Sequence, residues 1–164
     1  AREQIVDTPA VVNALETNTL RTYVTDFPHL LLRNRQDSIL MPHIGASTAE
    51  AEENCAIMAA DQIKAFLDHG NIKNAVNFPA IELERTTDSR LTVTNQNAPG
   101  TLSHILNVLG DADLNVADLL NKSRGDIAYN LIDLNTAPHA DVLDKIRSVE
   151  GVINVRHLGK PCAV

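Results

Sequence analysis

A chain of 164 residues with 44% hydrophobic residues is long enough for one ordinary domain or two small ones. Aromatic residues make up 3% and Trp is absent, so any core has to be built from Leu, Ile, Val and Ala. The formal charge of −7, with no basic group denser than Arg33 and Arg35, argues against nucleic acid or an anionic membrane as partner. No apolar run approaches the roughly 18–20 residues that span a bilayer and no leader peptide is visible, so a cytoplasmic location is expected. Cys55 and Cys162 lack metal-ligand spacing and no metal site is expected; one disulfide stays open, with reduced thiols the simpler reading.

The chain opens without Met, inside what reads as a strand-to-helix turn, and is expected to be part of a longer protein. Asp7-Thr8-Pro9 reads as a helix entry, with Thr8 as cap and Pro9 in the first turn. The helix should run to about Glu16 and bury Val11, Val12 and Leu15. Leu20 to Asp26 reads as a strand, and Ser38 to Met41 as a second short one beyond a polar stretch at Arg33 to Asp37. From Ser47 the pattern turns helical: Ser47 with Glu50 fits a capping box, and Gly70 is a natural stop. Cys55, Ala59, Ile63 and Phe66 recur at helical spacing and predict a buried stripe. Residues 71–89 read as a connector with a short extended piece.

A tighter rhythm follows. Arg90 to Asn95 is an alternating strand, and a helix after Pro99-Gly100 carries Leu102, Ile105, Leu106 and Leu109 on one face. Asn115 to Asn121 and Ile127 to Leu134 are strands around a turn at Ser123 to Asp126. Val142, Leu143, Ile146 and Val149 mark a helix ending at Gly151, and Val152 to His157 closes the unit. The order βαββαβ is that of a ferredoxin-like domain. The fold class is therefore α/β plus α+β: a partial Rossmann-type α/β segment with a long helix, then a ferredoxin-like βαββαβ domain.

Arg2, Asp26 and His43 each sit where a strand of an α/β unit hands over to its loop. In open parallel sheets ligands bind outside the carboxyl ends of the strands, so these residues are placed to converge. Their types suit hydride transfer from a carbinol carbon: His as the base for the hydroxyl proton, Arg as a two-pronged holder of a carboxylate. On spacing alone, a polar loop residue, a solvated chain end and a turn Asp are equally open roles.

Several stretches carry a resemblance that spans nearly the whole chain. AREQIVDTPAVVNAL resembles the ASRGxxVDxxAL segment of D-2-hydroxyacid dehydrogenases, and MPHIGASTAEAEEN resembles their TPHIGGST segment and the helix that follows it. NAVNFP looks like the connector of the D-3-phosphoglycerate dehydrogenase family, and RLTVTNQNAPGTLSHI like the start of an ACT domain, a regulatory amino-acid-binding module. The resemblance implies residues 1–70 as the end of an NAD-binding and catalytic region with its exit helix, 71–89 as connector, and 90–164 as an ACT domain.

It also implies roles. Arg2 falls on the arginine that holds the substrate carboxylate and carbonyl, and His43 on the general acid/base. Asp26 matches a position lining the nicotinamide side; Ala1, Arg2, His43, Ile44, Gly45 and Ala46 match cofactor-contacting positions. The implied reaction is NAD-dependent oxidation of the small-molecule substrate 3-phospho-D-glycerate to 3-phosphohydroxypyruvate, entering serine synthesis. Asn97 and Asn115 match effector asparagines, and Asn95 stands where serine-sensitive members tend to have His. An amide both donates and accepts, which suits the carboxylate and ammonium of L-serine or another amino acid. A cap at Asn97 and a turn at Asn115 are the local alternatives. A homo-oligomer paired through the ACT domains is expected.

Two departures and one absence stand out. The family histidine pairs with a Glu between its strand and the preceding one; here that interval has no Glu, and Asp37 is its one acidic residue. Glu3 stands where the family usually has Gly. The seven glycines never take GxGxxG spacing, so the polypeptide by itself is expected to bind NAD poorly and to be inactive. The alternatives are a dehydrogenase for another 2-hydroxyacid, or a non-catalytic amino-acid-binding protein that keeps dehydrogenase remnants.

Overall fold

A computed structural model describes residues 3–160. Packing divides the chain into two compact units, Ala1–Ala56 and Ile57–Val164. The division falls inside a long helix, so the connector 71–89 belongs with the second unit rather than standing between two.

The first unit begins with a 3-10 turn, Glu3–Ile5, followed by α1, Thr8–Glu16. The cap is Asp7, not Thr8: the Asp7 carboxylate accepts the Ala10 N–H at 3.0 Å, while Thr8 is the first helical residue and is buried. An acidic side chain one position earlier reaches the third helical N–H and favours the helix dipole, so it displaces Thr from that role. Leu15 is buried; Val11 and Val12 are only half-buried. A parallel pair follows, β1 (Tyr23–Thr25) and β2 (Ser38–Leu40), with Tyr23 beside Ser38 and Thr25 beside Leu40. Between them the 3-10 turn Leu30–Leu32 packs on α1 and buries Leu32. Arg35 grips Asp37 through two hydrogen bonds, at 2.9 and 2.8 Å, and reaches Glu16 at 3.3 Å.

α2 spans Ala49–His69. Its cap is Thr48, whose hydroxyl accepts the Ala51 N–H at 3.1 Å, in place of the expected Ser47 box. The predicted buried stripe is a correction: no residue of α2 is buried, and Cys55, Ala59, Ile63 and Phe66 are all exposed. Ile57, Met58 and Leu67 add to this exposed apolar surface. Helical periodicity reports that a face is apolar; it does not report that something covers it. Cys55 is an exposed free thiol, and Cys162 lies outside the described residues. Gly70 ends the helix in the left-handed region at φ 72°, where a side chain would also run into Thr92 and Leu131.

The second unit is the predicted βαββαβ arrangement: β3 (Ser89–Gln96), α3 (Thr101–Asp111), β4 (Val116–Arg124), β5 (Ile127–Leu134), α4 (Ala140–Arg147) and β6 (Val152–Leu158). The antiparallel sheet has the order β4-β5-β3-β6. Alternation sends Leu91, Val93, Ile132, Leu134 and Val155 to one face, where Ile105 and Leu109 of α3 and Val142 and Ile146 of α4 cover them. On the other face Tyr129 and Leu131 pack with Ile72 and Ile81 of the connector, which pair with each other by backbone bonds. The β4–β5 turn is tighter than the sequence reading, since both strands run to within two residues of each other around Gly125-Asp126.

One buried ion pair ties this face together. Arg90 and Asp133 are both fully buried and meet at 2.5 and 2.8 Å. The remaining guanidinium donors go to the backbone carbonyls of His69, Leu83 and Glu84 at 2.9–3.1 Å, and Asp133 also accepts from Thr86. Burial by itself would raise the Asp133 pKa, but the hydrogen bonds from Arg90 and Thr86 hold it below its ordinary value. Replacing Arg90 by Met strands a buried carboxylate and is expected to cost about 3–5 kcal/mol, read as a lower urea midpoint. The double variant Arg90→Met/Asp133→Leu recovers most of that loss. Because the folded Asp133 pKa is depressed, its stabilisation is complete above roughly pH 4 and disappears as pH falls through the folded value.

Candidate functional site

Parallel pairing of β1 and β2 makes both strands end at one rim. Asp26 follows the last residue of β1, and His43 lies three residues beyond the end of β2. Thr25 turns the chain there, its hydroxyl accepting the Phe27 N–H at 3.0 Å. The two candidate side chains meet: His43 Nδ1 and Asp26 Oδ2 are 2.8 Å apart. The Phe27 ring stacks on the imidazole, with centroids 4.5 Å apart and planes 28° from parallel. His43 is thus held by a hydrogen bond at one edge and a ring on one face, while 61% of its side chain stays exposed.

The hydrogen bond to His43 is the main reason the Asp26 pKa lies below its ordinary value, outweighing a small opposing effect of desolvation. An ionised Asp26 accepts, so Nδ1–H is the donor, and in the neutral imidazole this leaves Nε2 as the acceptor. An oriented imidazole of that tautomer is equipped to take a proton from a hydroxyl and return it. A carboxylate neighbour orients a histidine and favours its charged form, and Asp26 is the carboxylate in contact with His43. Asp37 is instead held by Arg35. Asp26, expected on the nicotinamide side, is therefore in contact with the histidine. The signal was available in principle, since a carboxylate and a His ending adjacent parallel strands must share a rim.

Other predicted residues fare differently. Ala1 and Arg2 lie outside the described residues. Ile44, Gly45 and Ala46 are exposed in the loop that follows His43, where the Ser47 N–H bonds to the Ile44 carbonyl at 3.0 Å. A dinucleotide needs a glycine-lined turn into a helix N-terminus. Gly45 does not make one: its φ is not positive and a side chain there would meet nothing within 4 Å. The described residues do not fit the pyrophosphate of NAD.

In the second unit Asn95 is buried, its amide donating to the Gln96 carbonyl and accepting from Asn130. Asn97 is exposed and donates to the Gly125 carbonyl at 3.1 Å. Asn115 is exposed just before β4. Since Gly125 follows the other end of β4, the strand separates Asn97 from Asn115 by about 30 Å, so one chain does not bring them together. Among the described residues, no group of three or more His, Cys, Asp or Glu could hold a metal ion, and no helix is long and apolar enough to cross a membrane.

The first unit carries a parallel strand pair, and the second is a ferredoxin-like βαββαβ domain. No family model matches the chain. D-3-phosphoglycerate dehydrogenase of Haemophilus influenzae is 32% identical over 96% of this chain and 42% of its own length. D-3-phosphoglycerate dehydrogenase of Escherichia coli is 30% identical over 96% of this chain and 42% of its length. The ACT domain of GTP pyrophosphokinase from Chlorobium tepidum, a solved structure, is 23% identical over 43% of this chain and 95% of its own, with a TM-score of 0.36. Over nearly its whole length the chain is related in sequence to D-3-phosphoglycerate dehydrogenases. It spans about two-fifths of the length of the curated relatives it matches, 42% and 39% for the first two.

The pairing predicts a titration. In the intact chain the Asp26 carboxyl should titrate below its ordinary value of 3.8, and in His43→Ala it should move back up toward that value. Carbon-13 NMR of the side-chain carboxyl reads both; an unchanged Asp26 titration in the variant would show that the hydrogen bond is not formed in solution.

Proposed function

We propose that this chain carries the proton-transferring end of an NAD-dependent oxidoreductase that converts 3-phospho-D-glycerate to 3-phosphohydroxypyruvate, the first step of L-serine biosynthesis. Residues 1–70 form the end of the catalytic region, 71–89 the connector and 90–164 an amino-acid-sensing ACT module. The carrying observation is the Asp26–His43 pair on the rim of two parallel strands, with Phe27 stacked on the imidazole. In the proposed reaction His43 Nε2 removes the substrate hydroxyl proton, and Asp26 steadies the imidazolium that results. Arg2 holds the substrate carboxylate through paired hydrogen bonds. NAD, were it bound in the whole enzyme, would supply hydride acceptance, and Ile44, Gly45 and Ala46 match positions that would contact it. The pyrophosphate cradle is not among the described residues, which keeps a second reading in view: an amino-acid-binding protein with dehydrogenase remnants.

The regulatory half of the proposal follows from the separation of Asn97 and Asn115. β4 is an edge strand, bonded only to β5. A second copy paired antiparallel along β4 about a twofold axis sets the start of one strand beside the end of the other. Asn97 of one chain and Asn115 of a second copy then face a common ligand, for which L-serine or a related amino acid is the fitting class. Asn95 supports this site from within the sheet.

The chain alone is expected to form no NADH from 3-phospho-D-glycerate. Joined behind the amino-terminal portion of the Haemophilus influenzae relative, it should give activity that falls by about 10²–10⁴ in His43→Asn. An active chimera indifferent to that substitution would overturn the catalytic reading. For the regulatory site, L-serine should raise the melting midpoint of the chain, with the rise lost in Asn97→Ala and in Asn115→Ala.

A further inference from the structure

The sheet face turned away from α3 and α4 carries a cavity of about 400 Å³ that lies wholly within the second unit. Its walls are apolar: Phe66 from α2, Ile72 and Phe78 from the connector, and Tyr129 from β5. Its floor is polar, because alternation along β3 turns Thr92 and Thr94 to this face. Arg156 of β6 completes the lining. The guanidinium lies over the Phe66 ring, 4.5 Å from its centroid, and one arm donates to the Leu67 carbonyl at 3.3 Å. Its other arm, Nη1, is buried and has no hydrogen-bond partner among the described residues.

A buried cationic donor without an acceptor is costly, since the desolvation of a charged group goes uncompensated. Most such groups in folded proteins find a partner, and here the group borders a cavity large enough for a small molecule. An anion entering the cavity would restore the missing acceptor. The other lining cation, Lys73, already has a partner in Glu82 at 2.8 Å, which leaves Arg156 as the group that calls for one.

The rest of the lining narrows the ligand. Four apolar walls favour a hydrocarbon body of ring or branched-chain size. No Asp or Glu borders the cavity, so an α-ammonium group would enter without a counter-charge. We propose that this cavity is a binding site for a small monocarboxylate with an apolar body and no ammonium group, its carboxylate taken by Arg156 Nη1. This class differs from the amino acid proposed for the β4 edge, and the two sites lie on different parts of the unit: a strand edge and a sheet face.

The test uses the full chain and follows the backbone amide signals of Thr92, Thr94 and Tyr129 by NMR. 3-Phenylpropanoate at millimolar concentrations is expected to shift them saturably. The neutral 3-phenylpropanamide, and 3-phenylpropanoate added to Arg156→Gln, should each bind at least about tenfold more weakly. L-Phenylalanine should also bind more weakly than the propanoate, for want of an acidic residue. A second variant, Ala75→Phe, narrows the cavity while keeping Arg156 and should abolish the shifts with the remaining spectrum intact. The proposal is overturned if the propanoate gives no saturable shift, if the amide or L-phenylalanine binds as tightly, or if Arg156→Gln or a folded Ala75→Phe binds unchanged. The response to L-serine depends on Asn97 and Asn115 and the response to the propanoate on Arg156, so failure of one site does not count against the other.

Discussion

The Arg90–Asp133 pair is the constraint on which the second unit depends. Two charges with no exposure to water are tolerable only if their remaining donors and lone pairs are occupied, and here they are. The guanidinium donates to the last residue of α2 and to the connector carbonyls of Leu83 and Glu84, while the carboxylate accepts from Thr86. Segments with few apolar contacts of their own are thereby fixed against β3 and β5. Hydrophobic burial alone would let the connector slide across the open face of the sheet, because apolar contacts lack direction. The ion pair gives that face one arrangement. Arg85 extends the same arrangement, donating to the carbonyls of Asp68, Thr87, Asp88 and Leu158. Its pKa is lowered by burial first and by the nearby charge of Arg90 second. His157 shows the same influences, lowered by burial and by Arg85.

Much of this second unit was legible from sequence, for a reason that does not extend to the rest. Strands of period 2 alternate with helices of period 3.6 over short connections, so local pattern and final packing agree; Ile127 to Leu134 is reproduced residue for residue. The first unit has strands of three residues, too short for periodicity to mark, and its predicted seven-residue strand shrank accordingly. α2 was read correctly as a helix and wrongly as buried, because an amphipathic pattern is a property of the segment while burial is a property of its neighbours. The ion pair itself left no trace in the pattern: Arg90 and Asp133 are 43 residues apart in the chain and become partners only through β3–β5 register.

The candidate site shows the same division. His43, its loop and the following helix were readable by resemblance, and the missing Glu was readable as a gap. The carboxylate beside His43 was readable only as a shared rim, because a hydrogen bond between residues 26 and 43 also requires that β1 and β2 pair in parallel and in register. Once they do, the choice between Asp26 and Asp37 is decided by a competitor. Arg35 takes Asp37 in a two-pronged grip, while Asp26 faces His43. Asp26 reaches the imidazole with a short side chain because it follows directly on the end of β1.

Asparagine is used in two opposite ways in the second unit, and the sheet decides which. On the helix-covered face, Asn121, Asn130 and Asn95 stand in a row across β4, β5 and β3. Asn121 donates to Asn130 at 2.5 Å, and Asn130 in turn donates to Asn95 at 2.7 Å and to the Val93 carbonyl at 3.1 Å. Asn130 and Asn95 are buried and Asn121 is exposed; a one-residue slip of β5 would send Asn130 to the other face, break both of its side-chain links and leave the buried Asn95 amide without that donor. The row therefore penalises wrong register more sharply than the apolar residues beside it, which tolerate exchange with one another. Asn97 and Asn115 lie beyond the strands, where no such row can form, and keep their amide groups at the surface. Residue type alone does not separate a register lock from a recognition group; position relative to the end of the strand does.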